Sequence, residues 1–199
     1  MLDKTMPHIA VLMTKRDVAN YPIYSLPAGY QFCGYQPGDE EAWAALQVAV
    51  GQMENQATAR QIFQEVFLSV AAEEQITKKC LFVKNQADQI VATASLWHGE
   101  HFGTSMQRIH YVAVAEQEAG KGIAKAMLTK LLNLYHELGL QQEFLYLTTQ
   151  TESYVAIQLY LTFGFVPYCG VKPPNFKLAH YQEQTPKAWA MIRAKIESR

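Results

Sequence analysis

Cysteine is scarce in this chain of 199 residues: Cys33, Cys80 and Cys169 stand far apart, with no CxxC pair. That spacing argues against a disulfide framework and suits a reducing compartment. An excess of one charge is also missing. Lys and Arg total 17 and Asp and Glu 18, a formal net charge of -1. Bulk electrostatics therefore gives no reason to expect nucleic acid or an anionic membrane as partner. No apolar run reaches transmembrane length, and the N-terminus lacks the continuous apolar stretch of a signal peptide. A soluble cytoplasmic protein is the expectation. Internal repeats, low-complexity tracts and inter-domain linkers are absent as well.

What is there fits an ordinary globular chain. Hydrophobic residues make up 49% and charged residues 18%, a balance that excludes intrinsic disorder. The length suits one domain with a sizeable core. Pro7, Pro22 and Pro27 break up the first 29 residues, where "HIAVLM" is a short strand candidate. "GYQFCGY" (29–35) reads as a strand ended by "QPGD", with Asp39 as the N-cap of a helix to about Met53. A second helix is predicted over 57–74 from the spacing of Ile62, Phe63, Val66, Phe67 and Val70. "CLFVK" (80–84), "IVATASLW" (90–97) and "MQRIHYVAV" (106–114) read as a three-stranded meander.

A long amphipathic helix follows over 121–138, with Ile123, Met127, Leu131, Leu134 and Leu138 on one side. Lys125, Thr129, Asn133 and His136 fall on the other. Gly139 is its expected C-cap. "EFLYLTT" (143–149) is a strand, and Ser153 opens a short helix with Val155, Ala156, Leu159, Tyr160 and Phe163 inward. "FVPYCGV" (165–171) starts another strand, and a tail helix is expected over 186–197. The order predicts a mixed α/β domain, with a parallel crossover from Met106 to Thr149.

The stretch "VAVAEQEAGKGIAKAM" (112–127) carries the chemistry. Gly120 and Gly122 lie too close for the P-loop GxxxxGK[ST], and Ile123 stands where Ser or Thr is needed. Lys125 occupies the third glycine position of GxGxxG. Gln117, Gly120 and Gly122 do fit Q-x-x-G-x-G/A. Amides at a helix start lack intrahelical partners and carry partial positive charge, so such a loop can hold a pyrophosphate. A plain strand-to-helix turn is the competing reading of the glycines alone.

A second motif follows one strand later, "AIQLYLTFGF" (156–165). Together, in this order and at this distance, the two resemble the GCN5-related N-acetyltransferases, the acyl-CoA-dependent GNAT superfamily. The resemblance spans about Tyr30 to Tyr168, with its motifs between Met106 and Pro167. It implies one acyl-CoA N-acyltransferase domain over 1–199, with 1–29 and 169–199 as extensions. It implies a mostly antiparallel central sheet with a parallel βαβ unit and flanking helices. It also implies transfer of an acetyl group from acetyl-CoA to a primary amine, by direct attack in a ternary complex.

By the same resemblance, the loop from Gln117 through Gly120, Lys121, Gly122 and Ile123 to Ala124 holds the pyrophosphate of coenzyme A. Val112 and Val114 match the strand whose backbone pairs with the pantetheine. Tyr160 matches the tyrosine proposed as general acid to the leaving thiolate. Ser153 stands where many relatives have an Asn contacting the pantetheine. Relatives place a Glu base on the strand before the loop; here that strand offers Arg108, which cannot act as a base, and His110, which can. Arylalkylamine acetyltransferases resemble this chain in placing a His there. Strand alternation predicts Arg108, His110, Val112 and Val114 on one face. The alternative reading of His110 is a hydrogen-bonded residue of the sheet.

His98 and His101 form an HxxH loop pair without a further ligand set, so no metal is expected. Thr148 to Thr151 are candidates to line the acceptor site. A non-catalytic CoA-binding regulatory module and an interaction protein that keeps only the fold are the competing functions. The acceptor, a small molecule or peptide amine, is left open, as is a homodimer.

Overall fold

The computed structural model describes residues 2–140 and 144–198. In chain order the elements are β1 (Ala10–Lys15), β2 (Gln31–Gly34), α1 (Asp39–Ala49), α2 (Gln56–Phe63), α3 (Glu73–Lys79), β3 (Cys80–Lys84), β4 (Ile90–Gly99) and β5 (Met106–Val114). Then come α4 (Ile123–Glu137), β6 (Leu145–Gln150), α5 (Tyr154–Thr162), β7 (Val166–Pro167) and α6 (Tyr181–Glu197). This is a mixed α/β fold with a mostly antiparallel seven-stranded arrangement and one parallel pair. Among the described residues, no helix is long and apolar enough to cross a membrane.

The chain divides into two units. The first comprises the described residues of Met1–Pro22, His98–Arg108 and Gly139–Arg199; the second comprises Ile23–Trp97 and Ile109–Leu138.

In the second unit the strands are ordered β2-β3-β4-β5, antiparallel at β2/β3 and β3/β4. Its core is aromatic. Trp43 lies edge-on to Phe63 at 5.1 Å and to Tyr111 at 5.0 Å, and Phe67 is 4.8 Å from both Phe63 and Trp97. Each such pair adds about 0.5–1.5 kcal/mol beyond the area it buries. The helix predicted over 57–74 is interrupted here. After α2 the chain widens into a π-turn, Gln64–Leu68, in which the Ser69 N–H reaches the Gln64 carbonyl at 2.8 Å. Phe63 and Phe67 are wholly buried, the Val66 carbonyl accepts the Trp97 indole N–H at 3.0 Å, and Val70 is left exposed. Aromatic packing thus overrides the local helical spacing.

α1 starts one residue earlier in logic than predicted: Gly38 is the N-cap and Asp39 the first helical residue, its carboxylate accepting the Gln36 N–H at 2.9 Å. On α4 the inward stripe is as predicted, with Ile123, Met127, Leu131 and Leu134 buried. Thr129, expected outside, is buried too, because the chain before β2 crosses it and the Tyr24 N–H donates to its Oγ1 at 3.1 Å.

In the first unit the order is β5-β6-β1-β7; β5 belongs to both units because Met106–Arg108 falls here. β1 is antiparallel to β6 along its whole length and to β7 at Met13 and Thr14. Its burial is continuous from Val11 to Lys15, as a strand flanked on both sides requires. On α5, Ile157, Tyr160 and Phe163 face inward, while Val155 is exposed, contrary to the predicted inner face. α6 begins at Tyr181, five residues before the predicted Pro186. Of the strand predicted over 143–149, Glu143 lies outside the described residues.

Candidate functional site

The residues singled out from the sequence fall into both units: His110 and 112–124 in the second, Ser153 and Tyr160 in the first.

In the second unit, β5 departs from regular alternation at Tyr111, whose φ is 48°. A bulky side chain in the left-handed region is strained and needs compensation. The compensation is visible. Its ring packs on Trp43 and Phe67, and its carbonyl accepts the Gln47 Nε2 at 3.4 Å. One residue on, the Val112 carbonyl accepts Gln52 Nε2 at 3.0 Å. The predicted common face for Arg108, His110, Val112 and Val114 is therefore interrupted: the rings of His110 and Tyr111 stack instead of pointing apart. His110 is held through its carbonyl, which accepts from Ser95 Oγ at 3.0 Å. The Val112 carbonyl keeps a second lone pair beside the Gln52 bond.

β5 ends where the Ala115 N–H donates to the Val91 carbonyl at 2.8 Å. A single 3-10 turn, Glu116–Glu118, leads to Gly120 and Gly122, at φ of 80° and 88°. Only glycine takes these angles without strain. A Cβ built at either position meets no atom within 4 Å, so the space beside both glycines is open. Gly122 is the N-cap of α4, and no side-chain hydrogen bond caps the helix there. The first main-chain bond is from the Ala126 N–H to the Gly122 carbonyl. The amides of Ile123, Ala124 and Lys125 precede it, and with the helix dipole they make an anion site. Ile123 is buried under the loop and Gln117 is exposed, at the edge of a cleft of about 640 Å³ walled by Ala42, Leu46, Ile90 and Ala115.

Lys121 is engaged within the loop. Its ammonium lies 2.7 Å from Glu118 Oε2 and 3.2 Å from the Tyr30 hydroxyl, and that hydroxyl donates to the same Oε2 at 2.5 Å. The Lys121 bond, then the Tyr30 bond, hold the Glu118 carboxyl below its ordinary range, and Lys121 is raised in turn. Lys125 is exposed, 5.0 Å over the Tyr24 ring. Glu118 was legible three residues before Lys121; Tyr30, Gln47 and Gln52 were not, because their contacts are long-range.

In the first unit, a 3-10 turn, Thr151–Ser153, joins β6 to α5. Ser153 sits at the N-cap of α5, buried, and its side chain makes no capping bond. Tyr160 is 6% exposed, with its ring 6.1 Å from Phe165. Burial pushes its phenol well above the ordinary value.

His101 hydrogen-bonds the Tyr146 hydroxyl at 3.1 Å, and burial, then the nearby Arg108 charge, lowers it to about 4. Among the described residues no group of three or more His, Cys, Asp or Glu is placed to hold a metal. Burial raises all three thiols, Cys80 most. Thr148 and Thr149 pair with Leu12 and Val11 of β1.

A model of the acetyltransferase (GNAT) family matches residues 42–165. A comparison with curated proteins found no match. Among solved structures, 117 chains match. A GCN5-related N-acetyltransferase from Sphaerobacter thermophilus is 21% identical, with a TM-score of 0.62, over 81% of this chain and 49% of that one. An acetyltransferase from the GNAT family of Colwellia psychrerythraea is 14% identical, TM-score 0.57, over 81% of this chain and 53% of that one. A tandem GNAT protein from the clavulanic acid biosynthesis pathway is 15% identical, TM-score 0.52, over 84% and 52%. The chain spans about half the length of these structures. With the family model covering more than half of the chain, and the glycine loop and α5 motif lying inside it, the protein belongs to the GNAT family of acetyltransferases.

Proposed function

We propose that the protein transfers an acetyl group from acetyl-CoA to a primary amine. The observation that carries this reading is the uncapped N-terminus of α4 behind two left-handed glycines with open space beside both. These residues fit a pyrophosphate: the backbone offers donors, no side chain fills the approach, and the nearby carboxylate of Glu118 is offset by Lys121. The amides of 122–125 would hold the co-substrate, with Gln117 at the rim and the β5 backbone from Val112 to Val114 beside its arm.

In the proposed reaction the amine nitrogen bonds to the acetyl carbon as the carbon–sulfur bond breaks. His110 accepts the proton the amine loses, and Tyr160 supplies one to the departing sulfur. Tyr160 carries its proton at neutral pH, as phenols do, and lies within the α5 motif. The amine class is a small molecule or a peptide.

The test is thiol release from acetyl-CoA against a panel of amines, amino acids, polyamines, aminoglycosides and peptides. Release that depends on one acceptor class, and falls in Tyr160→Phe, supports the reading. CoA binding without release across the panel points to a binding module. No CoA binding overturns the assignment of the glycine loop.

A further inference from the structure

We propose that residues 3–9 form a latch that positions the Thr151–Ser153 turn and the start of α5 for co-substrate binding, with Glu152 as its central positioning residue. The inference rests on the acetyl-transfer reading above.

The contacts converge on Thr151 and Glu152. The Thr151 N–H donates to the Ile9 carbonyl at 3.0 Å, and its Oγ1 accepts the Ile9 N–H at 3.1 Å and donates to the Pro7 carbonyl. The Glu152 carbonyl accepts the Asp3 N–H at 2.9 Å. Its carboxylate, in a residue only 4% exposed, receives Lys4 Nζ at 3.0 Å on one oxygen and His8 Nδ1 at 2.5 Å on the other. Asp3 also reaches Lys195 of α6 at 2.9 Å, and that ammonium lies 5.7 Å over the ring of Tyr154, the first residue of α5. The charged and titratable groups at the turn are thus Asp3, Lys4, His8, Glu152 and Lys195.

Two features set this arrangement apart. First, the β1/β6 pairing covers Ala10 to Lys15 and Ile9 continues its register onto Thr151, but the bonds of Asp3, Lys4 and His8 lie beyond that ladder, on Glu152. Second, α5 lacks capping of its own: Ser153 makes no side-chain cap bond and the first turn carries no acidic residue. A helix start without a cap is free to fray. The latch holds the turn immediately before that start, through Thr151 and Glu152. It fixes Ser153, which stands at the pantetheine position of the motif, and the helix that carries Tyr160. A buried carboxylate stripped of its partners is strongly destabilising, which makes the ion pairs decisive for this turn. Burial raises the Glu152 carboxyl, but the His8 and Lys4 bonds outweigh it and leave it below the ordinary range.

The test uses the full chain with the double variant Lys4→Ala/His8→Ala, whose side chains are 65% and 67% exposed, and thermal melting establishes that each variant is folded before it is assayed. Glu152→Gln and the charge-conserving Lys4→Arg/His8→Lys accompany it. Hydrogen exchange at the amides of 151–156, Kd for acetyl-CoA, and KM and kcat are measured. The expectation is faster exchange at the turn, with Kd and KM for acetyl-CoA raised about fivefold or more and kcat within about twofold. The charge-conserving variant returns toward the parent. Unchanged exchange, or unchanged KM, overturns the latch. So does a lower kcat at constant KM, the signature of fewer folded molecules. If the parent protein shows no turnover, the acetyl-transfer reading fails by itself. Exchange and acetyl-CoA titration then still decide the latch: faster exchange with weaker binding supports it, and no change in either sinks it.

Discussion

The imidazole of His110 and the phenol ring of Tyr111 lie 3.7 Å apart between centroids, tilted by 35°. Neighbours on a regular strand point to opposite faces, so this stack marks where β5 breaks its alternation. The break aims His110 independently of Val112 and Val114. His110→Gln should lower kcat about 10- to 100-fold near neutral pH, within the range of general-base contributions. An unchanged kcat would assign proton removal to another group or to water.

Tyr160 is protonated at neutral pH, as any phenol is, and burial disfavours its phenolate further. Tyr160→Phe removes that donor and little volume. We expect kcat to fall about 10- to 100-fold with KM for acetyl-CoA changed less than about threefold. Steady-state kinetics on a folded variant decides it. Unaltered kcat removes Tyr160 from the acid role.

At the glycine loop the two predictions differ in size. Gly122→Val forces a β-branched residue to a φ of 88° and fills the open space, so it should weaken acetyl-CoA binding at least tenfold, by about 1.4 kcal/mol or more. Lys121→Met should change Kd less than about threefold, because Glu118 and Tyr30 already hold the ammonium and an exposed charge contributes little. Calorimetric titration checks both. Full affinity in folded Gly122→Val would sink the pyrophosphate assignment, and a large loss in Lys121→Met would mean that Lys121 leaves Glu118 for the ligand.

His101 predicts a pH dependence of stability. Its folded value is about 4 against an ordinary 6.5, so the unfolded chain binds more protons between those values. Stability from this group is fully present above about 6.5 and is lost as pH falls toward 4. Allowing for solvent screening at a half-exposed ring, the loss is about 1 kcal/mol. His101→Asn should flatten melting temperature against pH across that window. An identical slope in both proteins would refute the linkage.

The site was partly readable in advance. "QEAGKGIA" is a local pattern, and the left-handed glycines and the start of α4 depend only on neighbours in sequence. Lys121 was read as an added charge for the pyrophosphate; its engagement by Glu118 and Tyr30 alters that expectation. Tyr30 stands 91 residues away, and no spacing rule reaches that far. Ser153 makes no cap bond to α5, and the N-terminal residues bond to Thr151 and Glu152 of the turn before it.

Periodicity and motif spacing sufficed for the α/β class, the meander, α4 and the family, because each depends on residues within a few turns or on one βαβ length. Long-range packing alone settled the rest. "HIAVLM" was only a strand candidate until β1 was seen paired with β6 and β7. The helix expected over 57–74 gave way to a π-turn at Gln64–Leu68, where Phe67 packs 4.8 Å from both Phe63 and Trp97. The strain at Tyr111 was invisible in the strand "MQRIHYVAV", since the rings that offset it come from α1 and from the π-turn after α2. Local preference is worth a few tenths of a kcal/mol per residue, whereas burying one aromatic ring is worth about 2. Where the two conflict, tertiary contact decides.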